Sequence, residues 1–213
     1  MADREVAVLT SGLRQPSSTA LLAGRLGDAT VRALGERGLA TELRTVELRP
    51  YAKALADATV TGFASAELEE VIGSVTGADG LIAVTPTFAA SYAGLFKSFF
   101  DVLDPDALTG MPVLLAATGG SARHSLVIEY AMRPLLSYFR SVIVPTGVFA
   151  ATEDFGDGDG ANRLSARIGR AAGELAGLVA TAPGGNASRN PASTDPFADA
   201  PSFADLLAGK DSD

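Results

Sequence analysis

The chain has 213 residues, 47% of them hydrophobic and 20% charged, the composition of a folded domain rather than a disordered one. A formal net charge of −8 and a pI near 4.7 argue against nucleic-acid or anionic-membrane surfaces, which need a basic footprint. With no cysteine, disulfides, thiolate catalysis and cysteine metal sites are excluded, and the single histidine, His124, excludes a histidine metal cluster.

The first predicted element is a short buried strand over the apolar run Val6 to Leu9. The polar turn Thr10 to Pro16 follows it, and Ser17, Ser18 and Thr19 lead into a helix reaching about Arg37, with Gly38 as its C-cap. Thr41 to Leu48 alternates apolar and polar residues and predicts a second strand near a sheet edge. Arg49 to Thr61 reads as a long connection. Ser65 predicts the N-cap of a helix running to about Val75, with Glu67 in its first turn. Leu81 to Val84 is a third strand, fully apolar, and Thr85 to Ala90 is the turn at its carboxyl end. A helix is expected from Ser91 or Tyr92 to Leu103, a fourth strand over Met111 to Ala117, and a helix from about His124 to Phe139. A fifth strand spans Ser141 to Phe149 with a proline inside it. An acidic, glycine-rich loop, Glu153 to Gly160, leads to a last helix over Ala161 to about Ala180.

Strands alternating with helices predict an α/β protein with a parallel sheet. The expected domain covers 1–181. The Pro-, Gly- and Ala-rich stretch over 182–201 is a linker, and a tail carries the apolar Phe203, Leu206 and Leu207. The first strand starts by about residue 5, leaving no room for a signal peptide ahead of it, and no apolar run approaches ~18 residues, so the expected location is the cytoplasm.

Parallel strands place their carboxyl-end loops on one sheet edge, where ligands of open α/β folds bind. The first loop offers hydroxyls, Arg14 and the unpaired N–H groups of a helix start, which suits a phosphate. The second, Thr85 to Tyr92, sets small side chains beside Phe88 and Tyr92, which suits a flat ring. The third, Thr118-Gly119-Gly120-Ser121, exposes backbone amides at a glycine pair. A phosphate at one end and a flat ring between two loops describe FMN.

Three motifs carry a family resemblance: Ser11 to Thr19 (SGLRQPSST), Thr85 to Asp101 (TPTFAASYAGLFKSFFD), and Ala117 to His124 (ATGGSARH) with Arg133-Pro134-Leu135-Leu136. Over about residues 5–180 the chain resembles the NAD(P)H-dependent FMN reductases of the flavodoxin-like fold, especially the branch supplying reduced flavin to luciferase-like or alkanesulfonate-type monooxygenases. The resemblance implies a three-layer sandwich with a five-stranded parallel sheet of order 2-1-3-4-5. It implies FMN as flavin, NADPH or NADH as hydride donor, a flavin-dependent monooxygenase as partner, and a homodimer or homotetramer. By the same resemblance Arg14, Ser17, Ser18 and Thr19 hold the flavin phosphate, with Ser11 in the same motif. Pro86, Thr87, Phe88, Ala89, Ala90, Ser91 and Tyr92 line the ring together with Thr118, Gly119, Gly120 and Ser121. Ser11-Gly12 stands where many relatives carry Gly-Ser. Phe88 stands where many carry Tyr, which removes a hydroxyl contact and keeps stacking.

No residue is assigned a catalytic role, because hydride passes between the two nucleotides and the protein supplies position. His124 is expected at a helix start or subunit contact, and Lys97 with Asp101 as a surface pair one helical turn apart. At least two of Phe96, Phe99 and Phe100 are expected in the core. The spacing of Asp154 to Asp159 fails the EF-hand pattern, so that loop reads as solvated. The competing functional readings are an FMN-bound quinone, azo or metal-oxyanion reductase and a flavodoxin-like electron carrier.

Overall fold

The structure, a computed structural model, describes residues 2–156 and 158–182. The expected tail, with Phe203, Leu206 and Leu207, lies outside the described residues.

Strand β1 (Arg4–Thr10) leads into helix α1 (Ser18–Gly35), and β2 (Thr41–Glu47) follows. Helices α2 (Ala52–Thr61) and α3 (Ala66–Thr76) precede β3 (Gly80–Phe88), which turns back on itself as β4 (Ser91–Tyr92). Then come α4 (Gly94–Asp101), β5 (Pro112–Gly119), α5 (Arg133–Tyr138), β6 (Val142–Ile143), β7 (Val148–Ala151) and α6 (Asp159–Thr181). The sheet order is β2-β1-β3-β5-β6, parallel throughout, with β7 also parallel to β5 and β4 antiparallel to β3.

The fold is α/β and flavodoxin-like, and strand alternation explains its three layers. Ala7, Leu9, Leu81, Ala83, Val113 and Leu115 face one side, where α2, α3, α4 and α5 bring Leu55, Leu68, Phe96, Phe100 and Leu136. Val6, Val8, Ile82, Val84, Leu114 and Ala116 face the other, covered by Leu22 and Leu26 of α1 and Leu164 and Leu175 of α6. Phe96, Phe99 and Phe100 are all fully buried, and Lys97 pairs with Asp101 on the exposed side of the same helix.

The expected five strands in order 2-1-3-4-5 require correction, because the sheet has seven strand segments. The expected fifth strand is cut at Pro145, which has no N–H for the ladder. Val142 and Ile143 pair with Pro112 and Val113, and the chain rejoins β5 only at Val148, opposite Ala116. In the gap, Thr146 donates through N (2.8 Å) and Oγ1 (2.7 Å) to the Glu174 carboxylate on α6. The seventh segment is β4, formed because Ala89 and Ala90 adopt φ of 47° and 66° and reverse the chain. That reversal also delays the following helix to Gly94.

Two more expectations change. The connection over 49–61 holds a 3-10 turn (Arg49–Tyr51) and then α2, which ends on Gly62 at φ +76°. The helix expected over 124–139 is α-helical only from Arg133; a 3-10 turn (Ala122–His124) and a π turn (Ile128–Met132) come before it.

Candidate functional site

The loops after β1, β3, β5 and β7 meet at the carboxyl edge of the sheet. They enclose a cleft of about 740 Å³, within the roughly 300–1,000 Å³ common for small-molecule sites.

The first wall is built by the start of α1. Ser17 holds an extended backbone (φ −115°, ψ 117°) and its Oγ accepts from Ala20 N at 3.1 Å, the geometry of an N-cap. The N–H groups of Ser18 and Thr19 follow as first-turn donors without an intrahelical carbonyl. Arg14, Ser17, Ser18 and Thr19 all line the cleft, with Leu13, Pro16 and Leu21 beside them. Arg14 is exposed and makes no ion pair among the described residues, so its guanidinium is available to an anion. Thr19 Oγ1 and Thr118 Oγ1 share a buried hydrogen bond of 2.9 Å, which ties the helix start to the end of β5.

Ser11 lies elsewhere than expected. It is fully buried, and its hydroxyl donates to Thr85 Oγ1 at 3.1 Å, away from the cleft. Thr85 Oγ1 also accepts from Ala93 N at 3.0 Å, so this pair ties the first loop to the hairpin. The Ser11-Gly12 order has a packing reason. A Cβ on Gly12 would stand 2.3 Å from Ser17 Oγ, so any larger residue has to displace the capping hydroxyl.

From the second loop, Pro86, Thr87 and Phe88 line the cleft. Phe88 is 42% exposed there, and Thr87 Oγ1 is buried without a hydrogen-bond partner. Ala89 and Ala90 form the exposed turn outside the lining, and Ser91 belongs to β4. Tyr92 packs its ring against Phe96, centroids 5.8 Å apart, on the α4 side of the hairpin. From the third loop, Thr118, Gly119 and Gly120 line the cleft and Ser121 does not. A Cβ on Gly119 would meet Phe149 Cζ at 2.8 Å, so the close approach of this loop to β7 needs glycine.

Thr152 and Phe155 complete the lining and were not expected. They sit in the 3-10 turn after β7, Phe155 within the acidic loop expected to be solvated and Thr152 just before it. Asp154 fixes that turn by accepting from Ala151 N at 2.9 Å, and the Phe155 ring carries the Arg25 guanidinium 5.6 Å from its centroid. The signal was available: this is a fourth loop at a strand carboxyl end, with an aromatic residue in it.

Among the described lining residues Arg14 is the only one whose side chain carries charge. His124 is exposed and outside the lining. Among the described residues the one marked electrostatic perturbation lies outside the cleft lining. A bidentate hydrogen bond from Arg133 (2.6 and 3.0 Å) holds the Glu129 carboxyl below its ordinary range, and Glu129 raises Arg133 in return. Among the described residues no cluster of His, Asp or Glu is arranged for a metal ion, and no helix is long and apolar enough to cross a membrane.

Residues 4–156 match the family described as NADPH-dependent FMN reductase. Over 180 residues the chain is 39% identical to a Pseudomonas fluorescens protein named NADH-dependent FMN reductase SfnF, spanning 83% of this chain and 92% of that one. Over 151 residues it is 38% identical to FMN reductase (NADPH) of Pseudomonas aeruginosa, spanning 71% and 78%. An oxidoreductase of Corynebacterium diphtheriae, solved by X-ray crystallography, superposes with a TM-score of 0.82 at 52% identity, covering 86% of this chain and 100% of that one.

Proposed function

The chain belongs to the NADPH-dependent FMN reductase family, and on that premise we propose that its carboxyl-edge cleft holds FMN for reduction by NAD(P)H. The observation that carries this reading is the convergence, in one cleft, of an unpaired arginine, an open helix start and a buried hydroxyl without a partner.

The residues fit the ligand. The N–H groups of Ser18 and Thr19, the Ser17 hydroxyl and Arg14 offer a phosphate directional donors and one full positive charge. Thr87 Oγ1 offers a hydrogen bond to the polar edge of a ring, which would relieve its own burial. Phe88 on one side and Gly119-Gly120 on the other accept a flat group. The Thr19–Thr118 and Ser11–Thr85 pairs keep the three loops in register around it. When bound, FMN would supply the hydride acceptor for the reduced nicotinamide, and no side chain of the cleft would have to move a proton in that step.

The flavin is exchangeable in this reading. Arg14 is the one cation of the described lining, and the other polar groups there are neutral hydroxyls and amides. Such a site orients a flavin and lets it go, which suits delivery of reduced FMN to a flavin-dependent monooxygenase. Dependence on reduced nicotinamide nucleotides, which are made in the cytoplasm, supports a cytoplasmic location. Exposed Leu126, Tyr130, Tyr138 and Val142 around α5 and β6 support a homodimer or homotetramer. The close of α6 at Thr181 supports a reductase domain over 1–181, with 182–213 read from composition as a linker and tail.

Steady-state oxidation of NADPH and NADH by dialysed protein, with and without added FMN, tests the reading. Turnover that requires added FMN is expected. Full turnover without it, with stoichiometric flavin surviving dialysis, favours a tightly bound quinone-type reductase. Bound flavin with no nicotinamide oxidation favours an electron carrier.

A further inference from the structure

The loop that opens α1 has a second, smaller hollow on its other flank, between the start of α1 and the end of β2. Its volume of about 90 Å³ holds roughly three waters, the size of one phosphate group and too small for a ring. Thr10, the last residue of β1, lines it. Thr10 is 3% exposed, and its Oγ1 has no hydrogen-bond partner. Strand alternation turns Thr10 to the side of Val6 and Val8, towards α1, which directs the hydroxyl at the hollow. A buried hydroxyl of this kind is destabilising until something binds it.

Two cations reach the same space. Arg14 comes from the loop and Arg49 from the 3-10 turn after β2, and neither makes an ion pair among the described residues. Ser17 Oγ accepts from Ala20 N and keeps its own proton to donate. One carboxylate, Glu47 at the end of β2, faces the hollow and is also without an ion pair among the described residues. Two guanidiniums against one carboxylate leave the hollow positive, so it selects an anion. Glu47 adds a second requirement, a hydroxyl donor next to that anion. Inorganic phosphate can meet the second only with its own P–OH, not with a hydroxyl standing beside the anion. A ribose 2′-phosphate with its neighbouring 3′-hydroxyl meets both. The position is also apt, since the end of the second strand beside the first loop is where doubly wound dinucleotide sheets read this ribose, with an acidic residue or an arginine.

We infer that this hollow is the 2′-phosphate subsite of the reduced nicotinamide nucleotide, giving the protein a preference for NADPH. Arg49, Arg14 and Thr10 take the phosphate and Glu47 takes the 3′-hydroxyl. The inference rests on the reading that the cleft across the loop holds FMN. Arg14 stands in the wall of both spaces, so one arginine separates the two nucleotides' phosphates.

Calorimetric binding of 2′,5′-ADP and 5′-ADP to the full chain tests this without any hydride transfer, alongside kcat/KM for NADPH and NADH. The wild type is expected to bind 2′,5′-ADP at least tenfold more tightly than 5′-ADP. Arg49→Gln should abolish most of that difference and lower the NADPH-to-NADH ratio of kcat/KM about tenfold, whereas Arg49→Lys should keep part of it. Thr10→Val, which preserves shape, should reduce the same discrimination severalfold. Equal affinity of the wild type for the two nucleotides overturns the inference. So does an Arg49→Gln that weakens FMN binding while discrimination stays intact, because the hollow would then serve the flavin. Discrimination with no FMN binding supports the hollow's assignment and sinks the flavin reading of the cleft instead.

Discussion

Gly12→Ala tests how the loop that receives the phosphate is held. The added Cβ would lie 2.3 Å from Ser17 Oγ, 3.3 Å from Ser17 Cβ and 3.4 Å from Thr19 Cβ. The backbone of Gly12 is not in the left-handed region, so the cost is packing alone. The Ser17 hydroxyl has to rotate away, losing its bond to Ala20 N, and a lost N-cap costs about 1 kcal/mol. In a domain of this size that lowers Tm by about 2–4 °C. FMN affinity should fall with it, because the same hydroxyl and helix start form the phosphate wall. Gly24→Ala is the matched control. It sits inside α1 with nothing within 4 Å of the new Cβ, and it should stabilise by roughly 0.5–1 kcal/mol. Thermal melts of Gly12→Ala, Ser17→Ala and the double variant complete the test. If the alanine acts by displacing the cap, it costs only a few tenths of a kcal/mol once Ser17 is already alanine. Fully additive losses would refute the reasoning.

Other expectations rest on separate contacts. Arg14→Ala should weaken FMN about tenfold, the lower end of a charge-assisted hydrogen bond of roughly 1.5–3 kcal/mol, and leave riboflavin nearly untouched; equal losses by fluorescence titration would remove the phosphate role. Thr19→Val or Thr118→Val alone strands the other hydroxyl and should cost about 1–3 kcal/mol in denaturant melts, whereas the double valine variant should recover much of it. The Glu129–Arg133 pair predicts a pH effect of known sign. Glu129 titrates lower in the folded state, so its contribution is present above the unfolded carboxylate pKa and lost as pH falls through the folded one. Both side chains are partly exposed, 49% for Glu129, so the effect should be only a few tenths of a kcal/mol; urea melts of Glu129→Gln between neutral and acid pH should show a flatter dependence, and an unchanged slope contradicts the pairing.

What the sequence made legible follows from where its signals are local. An apolar run, a hydroxyl-rich turn and a leucine-bearing helix specify β1, the first loop and α1, and Ser17 caps where its chemistry suggests. The hairpin was hidden because its turn is Ala89-Ala90 at positive φ, without the glycine or asparagine that usually marks one. Helix α2 was hidden because it buries only Leu55 and Ala58, too few for a clear period. Pro145 signalled an end of pairing, but the return of the chain to β5 involves Thr146 binding Glu174 of α6, 28 residues beyond that threonine. In the site, hydroxyls of one loop looked equivalent in sequence. Packing turns Ser11 inward to Thr85 and leaves Ser17 and Ser18 at the cleft, a difference set by Gly12 and the strand ends. Thr152 and Phe155 join the site only because β7 regains the sheet far enough up to deliver its loop to the same edge.

The most direct measurement is a crystal structure of the protein soaked or grown with FMN. The account predicts the phosphate at the start of α1, on the N–H groups of Ser18 and Thr19 and the Arg14 guanidinium. It predicts the ring between Phe88 and Gly119-Gly120, with Thr87 Oγ1 hydrogen-bonded to it. A flavin found outside this cleft, or one whose phosphate leaves Arg14 and the α1 start without contact, would contradict it.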